Sequence, residues 1–454
     1  MSLDRKVNIV IKNVLMYTPK VYNYGGLLIA GIIEKIGRRV IISKDWKDIV
    51  KLVPKIDVLC LSLQSTSQLF EIANHLQFKK EKDLFIIAGG PAVQDPEFAF
   101  NVVPELDVIV LGEGEETIVD LLNCQRLSEV ENIFGIAFKN GDEIVIKPIR
   151  KKTSLSNRPF IKVPPDLKSQ HVRGVNMYIE VLRGCPGKCS FCQYCWMFGH
   201  SIRSRPLHEI LGEVTYLKTH GIQKIAISGG DVSYYGASFS KHKQESLEDL
   251  LENLCEILGR NNLAGLDVRI DSLNSDILES IKKYTQGWIF LGIESGSDRI
   301  LRMINKGINV NQIFKGVELA KKEKIKISGS FMTGFIFETY EDFLSTKELI
   351  SELELDHYSI CITEPVPQTP YWNFVKMIPL SENPLFKKST GEIFARKNLT
   401  VAEHQALVLE ETAYKRLYNK PMSNYIRKNR IAIIKRECKR IRKIVRKLVS
   451  LNRS

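Results

Sequence analysis

Two series of short apolar, β-branched runs, each run followed by a helical pattern, fill most of this chain, and such alternation confines it to parallel sheets flanked by helices. The first series has runs at residues 7–11, 58–61, 84–88 and 108–111 with helical patterns at 27–36 and 69–78, and reads as a doubly wound parallel sheet. Runs at 133–138 and 143–146 then flank Asn140-Gly141, a pair that accepts the positive φ angles of a tight hairpin turn. The second series, at 177–182, 224–228, 267–270, 288–292, 325–330 and 358–362, supplies six strand–helix units. That is enough for a partial (β/α)6 barrel, whose functional residues belong at the C-terminal ends of the strands. The expected fold is α/β, with a doubly wound domain at 1–147, a polar, proline-containing linker at 148–174, a barrel at 175–380 and a helical region at 381–454.

The 454 residues are 44% hydrophobic and 26% charged, ordinary globular proportions. Lys12 and Asn13 interrupt the first apolar stretch, so a signal peptide is not expected, and no run is long and apolar enough to span a bilayer. Nine cysteines without a secretory signal point to reduced thiols in the cytoplasm, where a clustered subset binds metal or does chemistry. The net charge of +13 is unevenly placed, because residues 427–454 hold 12 Lys or Arg and only one acid, Glu437. Ile434, Cys438, Ile441, Val445 and Leu448 recur there at helical spacing, which predicts a basic amphipathic helix. Three roles stay open for it: lying on an anionic membrane surface, contacting an acidic partner or nucleic acid, or packing against its own barrel.

Directly behind the first run of the second series comes Arg183-Gly184-Cys185-Pro186-Gly187-Lys188-Cys189-Ser190-Phe191-Cys192. Three thiolates spaced four and three apart can hold three irons of one cubane and leave the fourth open to chelate a small molecule. At this cysteine content the spacing arises by chance on the order of 0.004 times in such a chain, so the pattern carries weight. Zinc is the competing reading, with Cys195 as the fourth ligand it would want. Cys195 otherwise reads as a packing thiol, and Cys361 as a core residue unless it faces the barrel lumen. Tyr194, Trp196 and Phe198 either shield the loop or simply pack.

On these cysteines, and on phrases over about 175–375, the chain resembles the radical S-adenosylmethionine (SAM) superfamily. The resemblance implies a four-iron, four-sulfur cluster on Cys185, Cys189 and Cys192 that cleaves SAM reductively to a 5′-deoxyadenosyl radical, with an electron donor of flavodoxin or ferredoxin type. Gly229-Gly230-Asp231 looks like the family's Gly-Gly-Glu element for the cofactor's ammonium group, with a shortened carboxylate. Gly292-Ile293-Glu294-Ser295-Gly296-Ser297 is similar to its cofactor segment, where Gly292 and Gly296 would let backbone approach the ligand. Arg269 and Asp271 resemble positions that orient the ribose and carboxylate, though a structural ion pair would look the same. Thr333-Gly334-Phe335 with Glu338-Thr339, and the segment from Pro365 to Pro370, look like the fifth and sixth strand regions of the same branch.

The first domain resembles the cobalamin-binding domain that precedes the barrel in one group of this superfamily. The likeness rests on Gly89-Gly90-Pro91 and Gly112-Glu113-Gly114-Glu115, with Ser62, Ser65 and Thr66 on a neighbouring loop, and Arg203 and Arg205 after the cluster loop. It implies cobalamin at Ser62, Gly89, Gly90, Gly112 and Gly114, although a domain of this fold that has lost the cofactor would read alike. No Asp-x-His-x-x-Gly motif is present, so no histidine ligand to cobalt is expected. Methylthiotransferases that modify transfer RNA share the barrel phrases but carry three further N-terminal cysteines, where this chain has only Cys60 and Cys124. The resemblance therefore implies a cobalamin-dependent methyltransferase acting on an unactivated carbon of a lipid, a peptide or protein, or a small natural product. Radical cyclisation or rearrangement, and a cluster- or cobalamin-based sensor, are the alternatives.

Overall fold

The computed structural model describes residues 11–76, 84–124, 127–237, 246–389 and 399–452. Its contacts gather 1–184 with 197–227 into one compact unit, and 185–196 with 228–454 into a second, a division that cuts across the expected boundaries at 147 and 174.

In the first unit, β1 (Asn13–Tyr17), β2 (Arg39–Ser43), β3 (Val58–Ser62), β4 (Phe85–Gly89) and β5 (Val108–Val110) lie parallel in the order β2-β1-β3-β4-β5. The antiparallel hairpin β6 (Ile136–Asn140) and β7 (Glu143–Ile146) extends the sheet, with Gly141 at φ +63° in its turn as the Asn-Gly signal requires. The run expected at 7–11 falls outside the described residues except for its last position. Between strands run α1 (Tyr24–Lys35), α2 (Trp46–Leu52), α3 (Thr66–Ala73), α4 (Pro96–Val102) and α5 (Glu115–Asn123). Asn23 caps α1 by accepting from Gly26 N at 2.8 Å, and Asp95 caps α4, which opens on Pro96. β2 escapes the sequence reading because only Val40–Ile42 are apolar between Arg39 and Ser43.

The stretch expected to be a linker is instead a strap on α1. Lys162 N donates to Leu27 O at 3.0 Å, Tyr22 N donates to Gln170 Oε1 at 2.7 Å, and Leu155, Ile161 and Leu167 are buried. Gly31 permits the contact, since a Cβ there would lie 2.3 Å from Phe160 O. The same unit holds β8 (Met177–Glu180) paired with β11 (Ile225–Ser228), β9 (Leu182–Arg183) paired with β10 (Arg203–Ser204), and α7 (Leu207–Thr219). The helix α6 (Gln193–Phe198) follows the cysteine loop.

The second unit carries β12 (Leu266–Val268), β13 (Trp288–Glu294), β14 (Lys326–Thr333) and β15 (His357–Ile362) as a parallel sheet in that order. Around them are α8 (Leu247–Leu258), α9 (Ser275–Tyr284), α10 (Asp298–Met303), α11 (Val310–Lys322), α12 (Tyr340–Glu352) and α13 (Pro370–Met377). The six strands of the expected barrel are thus all present in order, laddered as a pair and a quartet. β12 is three residues long because the chain turns at Ile270–Ser272.

Two helices close the chain, α14 (Val401–Tyr418) and α15 (Asn424–Leu451). Ile434, Cys438, Ile441, Val445 and Leu448 are all buried, and α15 packs on α13 and α14. The amphipathic stripe is therefore covered by the chain's own fold. No helix among the described residues is long and apolar enough to cross a membrane.

Candidate cluster and cofactor site

The cysteine loop leaves β9 through Gly184, whose φ of +93° would strain any other residue. Cys189 is buried and Cys185 and Cys192 are half-buried, close enough that each feels the charge of Cys192 or its neighbours. Burial pushes the Cys185 and Cys189 thiols up, and the cations Arg269 and Lys306 act to pull Cys189 back down. Cys195 is buried and donates to Cys192 O at 3.3 Å, and its hydrogen bonding lowers the Cys192 pKa. Trp196 Nε1 donates to Cys189 O at 3.1 Å and so fastens the loop from α6.

Arg269 and Asp271 form a bidentate pair at 2.9 Å and 2.9 Å, and the remaining Arg269 Nη1 points to Cys189 Sγ at 3.6 Å. A side chain at Gly187 would collide with that guanidinium, since its Cβ would lie 2.8 Å from Nη1. The second cation, Lys306, escaped the sequence reading. Its ammonium is buried 2.8 Å from Glu294 Oε1, and its carbonyl accepts from Arg269 Nη2 at 2.7 Å. Glu294 adopts φ +68° at an irregularity in the β13–β14 register, which turns it toward Lys306. The signal available in sequence was a lysine between Asn305 and Gly307, residue types that tolerate the positive φ both adopt here.

Two glycines of this segment also have work within the protein. A Cβ on Gly292 would lie 2.4 Å from Glu294 Oε1 and 2.6 Å from Lys306 Nζ, so Gly292 makes room for that ion pair. A Cβ on Gly296 would lie 2.3 Å from Ser345 O, so Gly296 admits the close approach of α12. Ser295 is fully buried and shares a 3.0 Å hydrogen bond with Thr346 on the same helix, so its hydroxyl is a structural tie. Asp231 is also fully buried, accepting from Ser233 Oγ at 2.6 Å, Ser272 Oγ at 2.9 Å and Ser233 N at 3.1 Å. The shortened carboxylate thus ties its loop to the turn after β12.

Lys306→Met is expected to move the potential of a bound cluster more negative by tens of millivolts, because reduction adds negative charge that the ammonium no longer offsets. A potentiometric titration followed by EPR reads the shift, and an unchanged midpoint would deny Lys306 this role.

In the first unit, Ser62, Gly89, Gly90, Gly112 and Gly114 all fall at the C-terminal edge of the sheet, Ser62 and Gly89 as the last residues of β3 and β4 and the other three in the loops after β4 and β5. Each also has local work. Ser62 Oγ meets Asn23 Oδ1 at 3.0 Å, Gly90 at φ +96° passes Leu63 O where a Cβ would sit 2.5 Å away, and Gly112 N donates to Gln94 Oε1 at 2.9 Å. Gly114 precedes α5. The strand order puts the switch point between β1 and β3, the usual place for a ligand in such a sheet. Thr18, directly after β1, and Thr66, the first residue of α3 in the connection that follows β3, have hydroxyls buried without a hydrogen-bond partner among the described residues.

Glu113 lies in a buried charge network. It accepts from Arg183 Nη1 at 3.0 Å, from Arg203 and from Thr153, while Arg183 also pairs with Glu115 and with Glu180 at 2.8 Å. Phe198 lies under the Arg183 guanidinium, 5.1 Å from its ring centroid. Arg205 is held by Glu213 at 2.8 Å and Tyr24 at 3.0 Å. In the second unit Cys361 is exposed on β15, 3.8 Å from Ser359 Oγ.

Residues 179–350 match the Radical SAM superfamily. A Methanocaldococcus jannaschii protein provisionally named a methylthiotransferase is 38% identical over 396 residues, 86% of this chain and 85% of that one. Among solved structures, the radical SAM methyltransferase TsrM from Kitasatospora setae, with cobalamin and a [4Fe-4S] cluster bound, superposes with a TM-score of 0.64 at 14% identity, over 87% of this chain and 84% of that one. The cobalamin-dependent radical enzyme OxsB, with aqua-cobalamin and SAM bound, gives 0.61 at 17% identity, over 91% and 57%. At these identities the structural likeness is one of fold.

Proposed function

The chain belongs to the radical SAM superfamily, and from that premise we propose that it is a cobalamin-dependent methyltransferase acting on an unactivated carbon. Membership brings a four-iron, four-sulfur cluster and SAM. The observation that carries the finer reading is the doubly wound domain ahead of the barrel segment, with partnerless buried hydroxyls of Thr18 and Thr66 at its switch point. Small residues and free hydroxyls there suit a nucleotide-like tail such as that of cobalamin.

When bound, the cluster and SAM supply a 5′-deoxyadenosyl radical, and cobalamin supplies the methyl group. In this reading Cys185, Cys189 and Cys192 hold the cluster. Arg269 and Lys306 place positive charge beside Cys189, against a cofactor made anionic by three thiolates. The backbone of Gly229, Gly230 and Asp231 accepts the ammonium of SAM, and Asp271 and Glu294 keep both cations in place. Ser62, Gly89, Gly90, Gly112 and Gly114 line the cobalamin edge.

The name of the Methanocaldococcus relative favours a second reading, methylthio transfer. A second cluster in the first domain would need three cysteines, and only two precede the loop. Cys60 is buried within β3, where burial pushes its thiol up to about 12, and Cys124 ends α5. These facts weigh for methyl transfer.

The test is anaerobic turnover with methyl-deuterated SAM, cobalamin, a reductant, and an extract of metabolites and proteins from cells lacking this gene. Methyl transfer predicts labelled methyl in one product, with S-adenosylhomocysteine and 5′-deoxyadenosine formed in about equal amounts. A product heavier by sulfur, unlabelled product, or turnover unchanged without cobalamin would sink the proposal and leave the radical chemistry standing.

A further inference from the structure

The basic helix α15 presents two different faces. On its inner side Arg427, Arg430, Arg440 and Arg442 pair with Glu411, Glu410, Glu364 and Glu403, so those charges belong to the fold. Lys428, Lys435, Arg436, Lys439, Lys443 and Arg446 are exposed. Lys435, Arg436 and Lys439 meet no carboxylate among the described residues. At 100° per residue these six share one side of the helix, and Glu437, its only acid, lies off that side. From Lys428 to Arg446 the stripe runs about 27 Å, with a two-turn gap after Lys428 and, from Lys435 onward, charges roughly one 5.4 Å turn or less apart. Tyr425, 76% exposed, heads the same side.

We propose that this outer face docks the sugar–phosphate backbone of a nucleic acid. A polyanion with closely and evenly repeated charge matches a long, acid-free cationic stripe, and each phosphate contact releases counterions. Tyr425 adds a planar ring on which an unpaired base can stack. A bilayer fits less well, because interfacial helices bury an apolar face in the lipid and that face of α15 is already covered by α13 and α14. Nothing on the stripe reads base edges in a fixed geometry, so binding should be largely independent of sequence.

The probe is fluorescently labelled bulk transfer RNA, titrated with the full-length, cluster-loaded protein. Affinity is expected to fall roughly 10- to 100-fold between 50 and 200 mM salt, the loss for three or four phosphate contacts. The triple variant Lys435→Glu, Arg436→Glu, Lys439→Glu should bind at least about tenfold more weakly at fixed salt, with iron content and SAM cleavage unchanged. Equal RNA binding by the variant, or no RNA binding at 50 mM salt, would overturn the proposal. So would co-sedimentation with phosphatidylserine-containing vesicles that bulk transfer RNA fails to compete away.

Discussion

Replacing Cys185, Cys189 and Cys192 together by alanine is expected to remove essentially all bound iron, the brown chromophore and every trace of 5′-deoxyadenosine formation. Each thiolate holds one iron, and a loop without thiolates offers the metal only backbone. Protein folding should survive, because the loop is shaped by other contacts: Ser190 N donates to Ile304 O at 2.8 Å, Tyr371 N donates to Ser190 O at 2.9 Å, and Trp196 anchors the carbonyl of Cys189. Cys195→Ala provides the contrast. Its thiol is turned to the Cys192 carbonyl, so that variant should still load about four irons. Iron and sulfide assays with anaerobic EPR separate the two cases; a triple variant that retains a cluster would refute the ligand assignment, and zinc in place of iron would refute the cluster itself.

What could be read from sequence divides along a physical line. Periodicity reports burial, so the strands at β3, β4, β5 and β11 to β15, the hairpin, and the stripe of α15 were all legible to within a few residues. The three cysteines were legible because metal binding imposes spacing on a short loop. Charge partners were not, because pairing joins residues far apart in the chain: Glu113 to Arg183 and Arg203, Glu294 to Lys306, and Asp231 to Ser272. Glycines were legible as constrained but not as to what constrains them. Gly292 and Gly296 look like ligand approaches in sequence, and the structure adds a close approach to an ion pair at the first and to a helix backbone at the second. The strap over α1 was hidden for the opposite reason, since a proline-containing polar stretch says nothing of the backbone hydrogen bonds it will make.

Glu113→Ala is expected to destabilise the first unit by about 3–5 kcal/mol, because it leaves the buried Arg183 with one carboxylate fewer and leaves Arg203 with backbone carbonyls in place of its carboxylate. For a unit of this size that corresponds to a melting temperature lower by roughly 10 °C. Burial alone would raise the Glu113 pKa, but hydrogen bonds from Arg203 and Thr153 and the charge of Arg183 carry it down from 4.5 to about 2. A carboxylate depressed in this way contributes its full stability above about pH 4.5 and loses it as the pH falls toward 2. Glu113→Gln keeps the shape, has no proton to take up, and should therefore lack that acid limb. Thermal melts of cluster-free protein between pH 3 and pH 7 measure both effects without interference from acid release of iron. If wild type and Glu113→Gln melted in parallel across that range, folding would not depress the Glu113 pKa, and the Gly-Glu-Gly-Glu segment would not be the electrostatic anchor of Arg183, two residues ahead of the first cluster cysteine.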